Sequence, residues 1–255
     1  LMKNNQLVSN RSHYKGHEQF TVKVKDQMHW SVLHRQGVHT SFLSGVEGLI
    51  LQQIVDPELN LSLYGGYPEA LRKVAWFSPL DETPEYGIVT LASAYDDRFK
   101  KIGHRDVLGA LMHLGIERDQ VGDILVNDHA ITVFATETMA EYICTHVPMI
   151  GRVPVHFEPT DQIPENTAGY KMIRVNCASL RLDAVVAQLG HCSRKEAMHK
   201  IHQGDVKLNE IVLAENDQLC HNDFVSIRRY GKYQFVDVEA TTKKDRLILL
   251  FKQFL

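Results

Sequence analysis

The sequence predicts an α+β protein in three parts. These are an N-terminal helical segment over residues 1–56, a central α+β sandwich over 57–158 and, after a linker at 159–170, a small α+β module over 171–255. Three observations carry this reading. Apolar residues at helical spacing alternate with short β-branched and aromatic runs. Two capping boxes, Ser44-Gly-Val-Glu47 and Ser193-Arg-Lys-Glu196, mark helix starts. The charge is divided unevenly: residues 171–255 hold 14 Lys and Arg against 10 Asp and Glu, the first 170 hold 14 against 21, and the whole chain carries −3. A basic end on an acidic body implies a localised site for a polyanion.

Residues 1–17 are polar and unpatterned. Phe20, Val24 and Met28 recur every four residues and predict a helix from Glu18 to about Leu33. The Ser44 box opens a helix carrying Val46, Leu49, Ile50 and Ile54, closed before Asp56-Pro57. Residues 18–56 therefore read as helices. Leu59–Tyr64 reads as a strand and Gly65-Gly66 as a turn. Pro68–Phe77 reads as a short helix burying Ala70, Leu71, Val74 and Ala75. A strand over Ile88–Ala92 and a helix over Arg105–Leu114 follow. Ile124–Val126 and Ile131–Phe134 form a hairpin around Asn127-Asp128. Thr138–Thr145 is a helix, Val153–Phe157 a strand, and the Pro-, Gly- and Asn-containing stretch 159–169 a linker.

In the terminal module, Leu182, Val185, Val186 and Leu189 line one face of a helix that Gly190 ends. Ser193 caps a second helix running to about Gln203, with Met198 and Ile201 buried and Gly204 as its stop. Val206 and Leu208 alternate as a strand, Asn209-Glu210 turns, and Phe224–Ile227 is a further strand leading to Arg228, Arg229 and Lys232, with Gly231 at a turn. Arg194 and Lys195 occupy the first turn of the second helix, where the helix dipole disfavours cations. Positive side chains beside free backbone N–H groups fit a phosphate cradle.

These pieces resemble the S-four RNA-binding domain: Ser179-Leu-Arg-Leu-Asp183, Cys192-Ser-Arg-Lys-Glu-Ala197, Gly204-Asp-Val-Lys-Leu-Asn209 and Phe224-Val-Ser-Ile-Arg-Arg229. The resemblance implies RNA contacts at Arg181, Ser193, Arg194, Lys195, Lys200, Lys207 and Arg228. Arg229 and Lys232 extend the basic cluster. The family often has Arg-Gly-x-Gly after the last strand where this chain has Arg228-Arg229-Tyr230-Gly231. Arg181 and Asp183 also fit a simple pair or a helix cap. Upstream, Tyr64-Gly-Gly-Tyr-Pro-Glu-Ala70 with Arg72-Lys73, His104-Arg-Asp-Val-Leu-Gly-Ala-Leu111, Leu114-Gly-Ile116 and Gly122-Asp-Ile124 resemble the YlmH-type bacterial RNA-binding proteins. That resemblance spans about residues 40–255. It implies a ferredoxin-like centre similar to an RNA-recognition motif, followed by the S-four domain. It also implies work on ribosomes, including large subunits blocked by a nascent chain on tRNA, and a link to cell division.

Other chemistries fit less well. His104-Arg105-Asp106 is similar to a kinase catalytic loop, but position 111 is Leu where a metal-binding Asn is needed, and no phosphate loop is present. Arg181-Leu182-Asp183 is similar to the catalytic segment of pseudouridine synthases, yet it falls inside the S-four pattern. Gly65-Gly66 is too short for a methyltransferase nucleotide turn. His13/His17 and His199/His202 lack a third ligand for zinc; His191, His199 and His202 add charge beside phosphates at lower pH. The four cysteines form no C-x-x-C pair and read as reduced thiols in a cytoplasmic protein. No apolar run reaches the ~18 residues of a membrane span, and the polar N-terminus has no signal-peptide pattern. Leu1 ahead of Met2 points to an added residue or to a natural start elsewhere.

The expectation is a non-enzymatic protein that binds structured RNA, rRNA or tRNA on the ribosome, with no cofactor, no metal, no small-molecule substrate and no membrane contact. The acidic centre lacks the stacking aromatics of RNA-recognition motifs and is suited to a protein partner. The alternatives are an RNA-modifying enzyme targeted by its S-four domain, and a protein-interaction scaffold.

Overall fold

A computed structural model describes residues 16–98, 100–164 and 169–254. The expected lead-in over residues 1–15, with His13, and part of the linker, 165–168, lie outside the described residues. The chain is α+β and divides into two compact units: residues 19–167, and residues 168–255 together with 1–18.

The first unit begins with α1 (Glu18–His34), which buries Val24, Met28 and Ser31. Next come β1 (Val38–Leu43), α2 (Gly45–Ile54), β2 (Asn60–Tyr64) and β3 (Lys73–Ser78). The Ser44 box closes as expected: the Ser44 hydroxyl accepts from Glu47 N at 3.3 Å, and the Glu47 carboxylate accepts from Ser44 N at 2.7 Å. Two expectations need correction. Residues 18–56 are not helical throughout, because β1 lies between the two helices. The predicted helix over Pro68–Phe77 is instead loop followed by β3. β3 is the middle strand of an antiparallel sheet of order β1-β3-β2. Val74, Ala75, Trp76, Phe77 and Ser78 are all buried. A strand buried on both faces is continuously apolar, a pattern that spacing alone does not separate from a helix.

The unit continues with β4 (Ile88–Ala94), α3 (His104–His113), β5 (Val121–Val126), β6 (Ala130–Thr136), α4 (Glu137–His146), the small hairpin β7 (Met149–Ile150) and β8 (Val153–Pro154), and β9 (Glu158–Pro159). The sheet order is β5-β6-β4-β9, all antiparallel neighbours. With α3 and α4 as crossovers this is split βαβ connectivity of the ferredoxin-like kind. The single strand expected at Val153–Phe157 is divided: Val153–Pro154 pairs within the hairpin and Glu158–Pro159 pairs with β4. The turn between β5 and β6 is held by Asn127, whose side-chain oxygen accepts from the N–H of His129 and of Ala130.

The motif residues Tyr64–Lys73 and Gly122–Ile124 form an internal lock. The Asp123 carboxylate accepts from Tyr67 Oη at 2.9 Å and from the N–H groups of Leu71 and Arg72. Arg72 donates in turn to the carbonyls of Phe42, Val121 and Arg118. Burial, with the Asp123 charge beside it, pushes the Tyr67 phenol far above its ordinary value. Gly66 has φ +97°, and a Cβ there would sit 2.3 Å from the Phe134 ring. His104-Arg105-Asp106 likewise opens a helix: Asp106 accepts from Gly103 N and pairs with Lys100 at 2.8 Å.

The second unit contains β10 (Tyr170–Cys177), α5 (Leu182–Leu189), α6 (Arg194–His202), β11 (Val206–Leu208), β12 (Ile211–Val212), β13 (Phe224–Ile227), β14 (Gly231–Thr241) and β15 (Leu247–Phe254). They build one antiparallel sheet of order β10-β15-β14-β13-β11-β12. α5 buries Leu182, Val185, Val186 and Leu189 into a core shared with Ile201, Val225, Phe235, Leu249 and Phe251. β10 and β15 had no counterpart in the element-by-element reading, and β14 runs far beyond the expected turn. The Asn209-Glu210 turn is confirmed: both residues have positive φ, 52° and 68°. Asn209 donates to Asp223 and accepts from Phe224 N, which fixes the turn to β13. Gly16 and His17 belong to this unit, and the His17 ring lies 3.0 Å from the Asn209 carbonyl.

Candidate nucleic-acid interface

The interface is built around one buried carboxylate. Asp183, in the first turn of α5, is 3% exposed. It accepts from Arg181 Nε at 3.1 Å, from Arg194 Nε at 3.0 Å and Nη2 at 2.6 Å, and from Asn216 Nδ2 at 2.9 Å. Asn216 completes the exchange by accepting from Asp183 N. Burial works to raise the Asp183 pKa, but hydrogen bonds from Arg194, Arg181 and Asn216 outweigh it and hold the carboxyl below its ordinary value. Two guanidiniums share this one carboxylate, and both side chains remain more than half exposed. A net positive charge is thereby presented to solvent on side chains whose orientation is already fixed. Arg181 and Asp183 form the pair that the sequence allowed, and the pair fixes the orientation of the Arg181 side chain.

α6 follows directly. Ser193 caps it, accepting from Glu196 N at 3.2 Å, while Glu196 accepts from Ser193 N and Oγ. The Ser193 hydroxyl is thus committed to the cap. Glu196 is held below the ordinary carboxylate value, first by the Ser193 backbone and then by its side chain. Lys195 is exposed beside Arg194. Lys200, on the last turn, lies 5.3 Å from the centre of the Tyr230 ring. That contact brings the β13–β14 turn, with Arg228, Arg229 and Tyr230, next to α6. Arg229 has φ +71° and is exposed, filling the turn where the family pattern has glycine. Arg228 pairs with Asp205 at 3.1 Å.

Arg181, Ser193, Arg194, Lys195 and Lys200 are therefore gathered at α5 and α6, with Arg228 and Arg229 at the adjacent turn. Lys207 and Lys232 are not part of this group. Val206 and Leu208 are buried in the core under the helices, so Lys207 between them faces the opposite side of the sheet. Lys232 alternates with buried Tyr233 in the same sense, pairs with Glu210 at 3.0 Å and covers the Phe224 ring at 5.0 Å. Sequence reasoning missed Asp183 as the anchor of two arginines, Asn216 as its support, and Asp205 and Glu210 as neutralising partners. Only the Arg181–Asp183 spacing was visible in the chain. The other pairings join residues 11 to 33 positions apart.

Among the described residues, no three His, Cys, Asp or Glu side chains converge to hold a metal ion. No helix there is long and apolar enough to cross a membrane.

The fold is α+β with a cationic face at α5 and α6, and comparison with known proteins specifies which kind of protein it is. Residues 81–163 match the family model described as the putative RNA-binding domain in YlmH. A Bacillus subtilis (strain 168) relative, ribosome-associated protein quality control protein P2, is 31% identical over 221 residues, 84% of this chain and 86% of the relative. The chain belongs to the YlmH family of RNA-binding proteins. A solved structure, cell division protein ylmH from Streptococcus pneumoniae, aligns with 58% of this chain and 88% of its own at 23% identity and a TM-score of 0.45.

Proposed function

We propose that this protein binds structured RNA, rRNA or tRNA, on the large ribosomal subunit and serves translation quality control without catalysing a reaction. The observation that carries this reading is the Arg181–Asp183–Arg194 arrangement beside the capped N-terminus of α6. Oriented guanidiniums and helix N–H groups suit phosphate oxygens. Such contacts fix position on an RNA and leave selection to its shape and its 2′-hydroxyls. The name of the Bacillus subtilis relative supports the ribosomal setting.

Sedimentation of the full chain with purified ribosomal subunits tests the reading. The expected result is co-migration with large subunits, increased when they carry peptidyl-tRNA and reduced by Arg181→Glu with Arg194→Glu. Absence from large subunits and from free tRNA at moderate salt would contradict it.

A further inference from the structure

Lys207 and Lys232 face away from α5 and α6, and they do not stand alone there. Lys207 pairs in register with Ser226, and Ser226 with Lys232. Tyr233 pairs with Gln253, which sets Lys232 beside Phe254, and Phe254 pairs with Tyr170. One row of side chains thus crosses five strands, from Lys207 on β11 to Tyr170 on β10, a span of about 19 Å from four interstrand spacings. The rings of Phe224, Phe254 and Tyr170 make a continuous series, with centroids 6.0 Å and 6.2 Å apart. Lys252 lies on this face, 4.7 Å from the centre of the Tyr170 ring. Tyr170 is 42% exposed and Met172, on the same face of β10, is 47% exposed. Neither Lys207 nor Lys252 has a carboxylate partner within 4.0 Å among the described residues.

We propose that this outer sheet face is a second RNA surface, which takes a short unpaired segment with a base stacked on Tyr170 and its backbone phosphates on Lys252 and Lys207. The class of ligand rests on the RNA-binding reading above, but the residues are different. Rings interleaved with lysines on one sheet face suit unpaired nucleotides: every base offers a π-face, and the flanking cations meet the phosphates. A duplex hides its base faces, so the surface complements the phosphate-directed contacts at α6. The lysines make a polyanion a better match than an apolar protein segment.

The test uses the full chain and two fluorescent probes, a short oligoadenylate and a blunt RNA hairpin. Tyr170→Ala and Lys252→Glu are expected to weaken oligoadenylate binding about tenfold, a typical cost of losing one stacked base. Tyr170→Phe is expected to retain it, since the ring and not the hydroxyl is used. Hairpin binding should be unchanged in all three. Arg194→Glu with Lys195→Glu should show the converse, losing the hairpin and keeping the oligoadenylate, so failure at α6 is distinguishable from failure here. Melting temperatures confirm that each variant is folded. The proposal is overturned if wild type ignores oligoadenylate, if Tyr170→Ala binds it as well as wild type does, or if Tyr170→Phe loses as much as Tyr170→Ala. Occupation of the face by a protein that excludes oligoadenylate overturns it as well.

Discussion

Replacing Asp183 with Asn separates two opposing effects at the α5–α6 face. The change removes a negative charge next to two arginines, so by net charge alone RNA should bind more tightly. It also replaces one carboxylate oxygen with an amide NH2 donor, so the guanidiniums lose their charged anchor and one of them loses its acceptor, which makes RNA binding weaker. Magnitudes favour the second effect. Fixing a rotamer-rich side chain at an interface costs about 0.5–1.5 kcal/mol, so one freed arginine in Asp183→Asn costs roughly two- to tenfold in Kd, and two in Asp183→Ala cost about 1–3 kcal/mol, roughly five- to a hundredfold. The gain from one charge is small where the arginines are more than half exposed and salt screens them. Stability falls too. Breaking a fully buried pair costs about 3–5 kcal/mol, and the exposure of the arginines lowers this to about 2 kcal/mol, on the order of 10 °C in the Tm of a unit this size. The assay is equilibrium binding of tRNA at fixed salt, well below the Tm, for wild type, Asp183→Asn and Asp183→Ala. Weaker binding by both variants supports orientation as the role of Asp183. Equal or tighter binding by a folded Asp183→Asn protein would refute it and leave Asp183 as a purely structural residue.

Further expectations follow from the same geometry. Lys232→Ala should change hairpin RNA affinity less than about twofold, because Glu210 already neutralises Lys232 on the other face of the sheet; Arg194→Ala in the same assay should cost considerably more. Gly66→Ala should destabilise the first unit by about 2 kcal/mol or more, since φ +97° and the Phe134 ring both oppose a side chain; chemical denaturation measures this. Acid should weaken the second unit in a defined window. Asp183 and Glu196 have folded pKa values below their unfolded ones, so their contributions are full above about pH 4–5 and are lost as pH falls through the lower folded values; unfolding curves from pH 7 to 2 should show the loss, diminished in Asp183→Asn. Burial pushes the Cys177 thiol up to about 11, so native-state thiol labelling should reach partly buried Cys144 and Cys192 first and Cys177 only on unfolding.

Sequence patterns revealed most where the physics is local. The Ser44 and Ser193 boxes marked helix starts because a cap is a contact across three residues. The Asn127 and Asn209 turns were legible for the same reason. β3 was misread because a strand buried on both faces loses its alternation, and Val74-Ala-Trp-Phe77 fits a helix equally well. β10 was missed because its one partner strand is remote in the chain: Cys177 pairs with Leu247 and Tyr170 with Phe254. β15 was missed although it also pairs locally with β14, Thr241 with Leu247. The basic residues of the site were visible one by one, but their grouping was not. Which cations gather at α6, and which lie across the sheet with Tyr170, depends on strand register. The motif at Tyr64–Lys73 carried the family resemblance, and in the fold its residues close on Asp123 as an internal lock.

The central claim is that phosphates meet the N-terminal turn of α6 and the arginines held by Asp183. Its most direct test is affinity for tRNA and for large subunits over a salt series, with wild type beside Arg194→Glu, Lys195→Glu. Wild type is expected to lose affinity steeply with salt, and the variant to show a large loss at low salt with a slope shallower by about one for each phosphate contact removed. Equal affinity and equal slope for the two proteins would contradict the account and place the RNA contacts elsewhere in the chain.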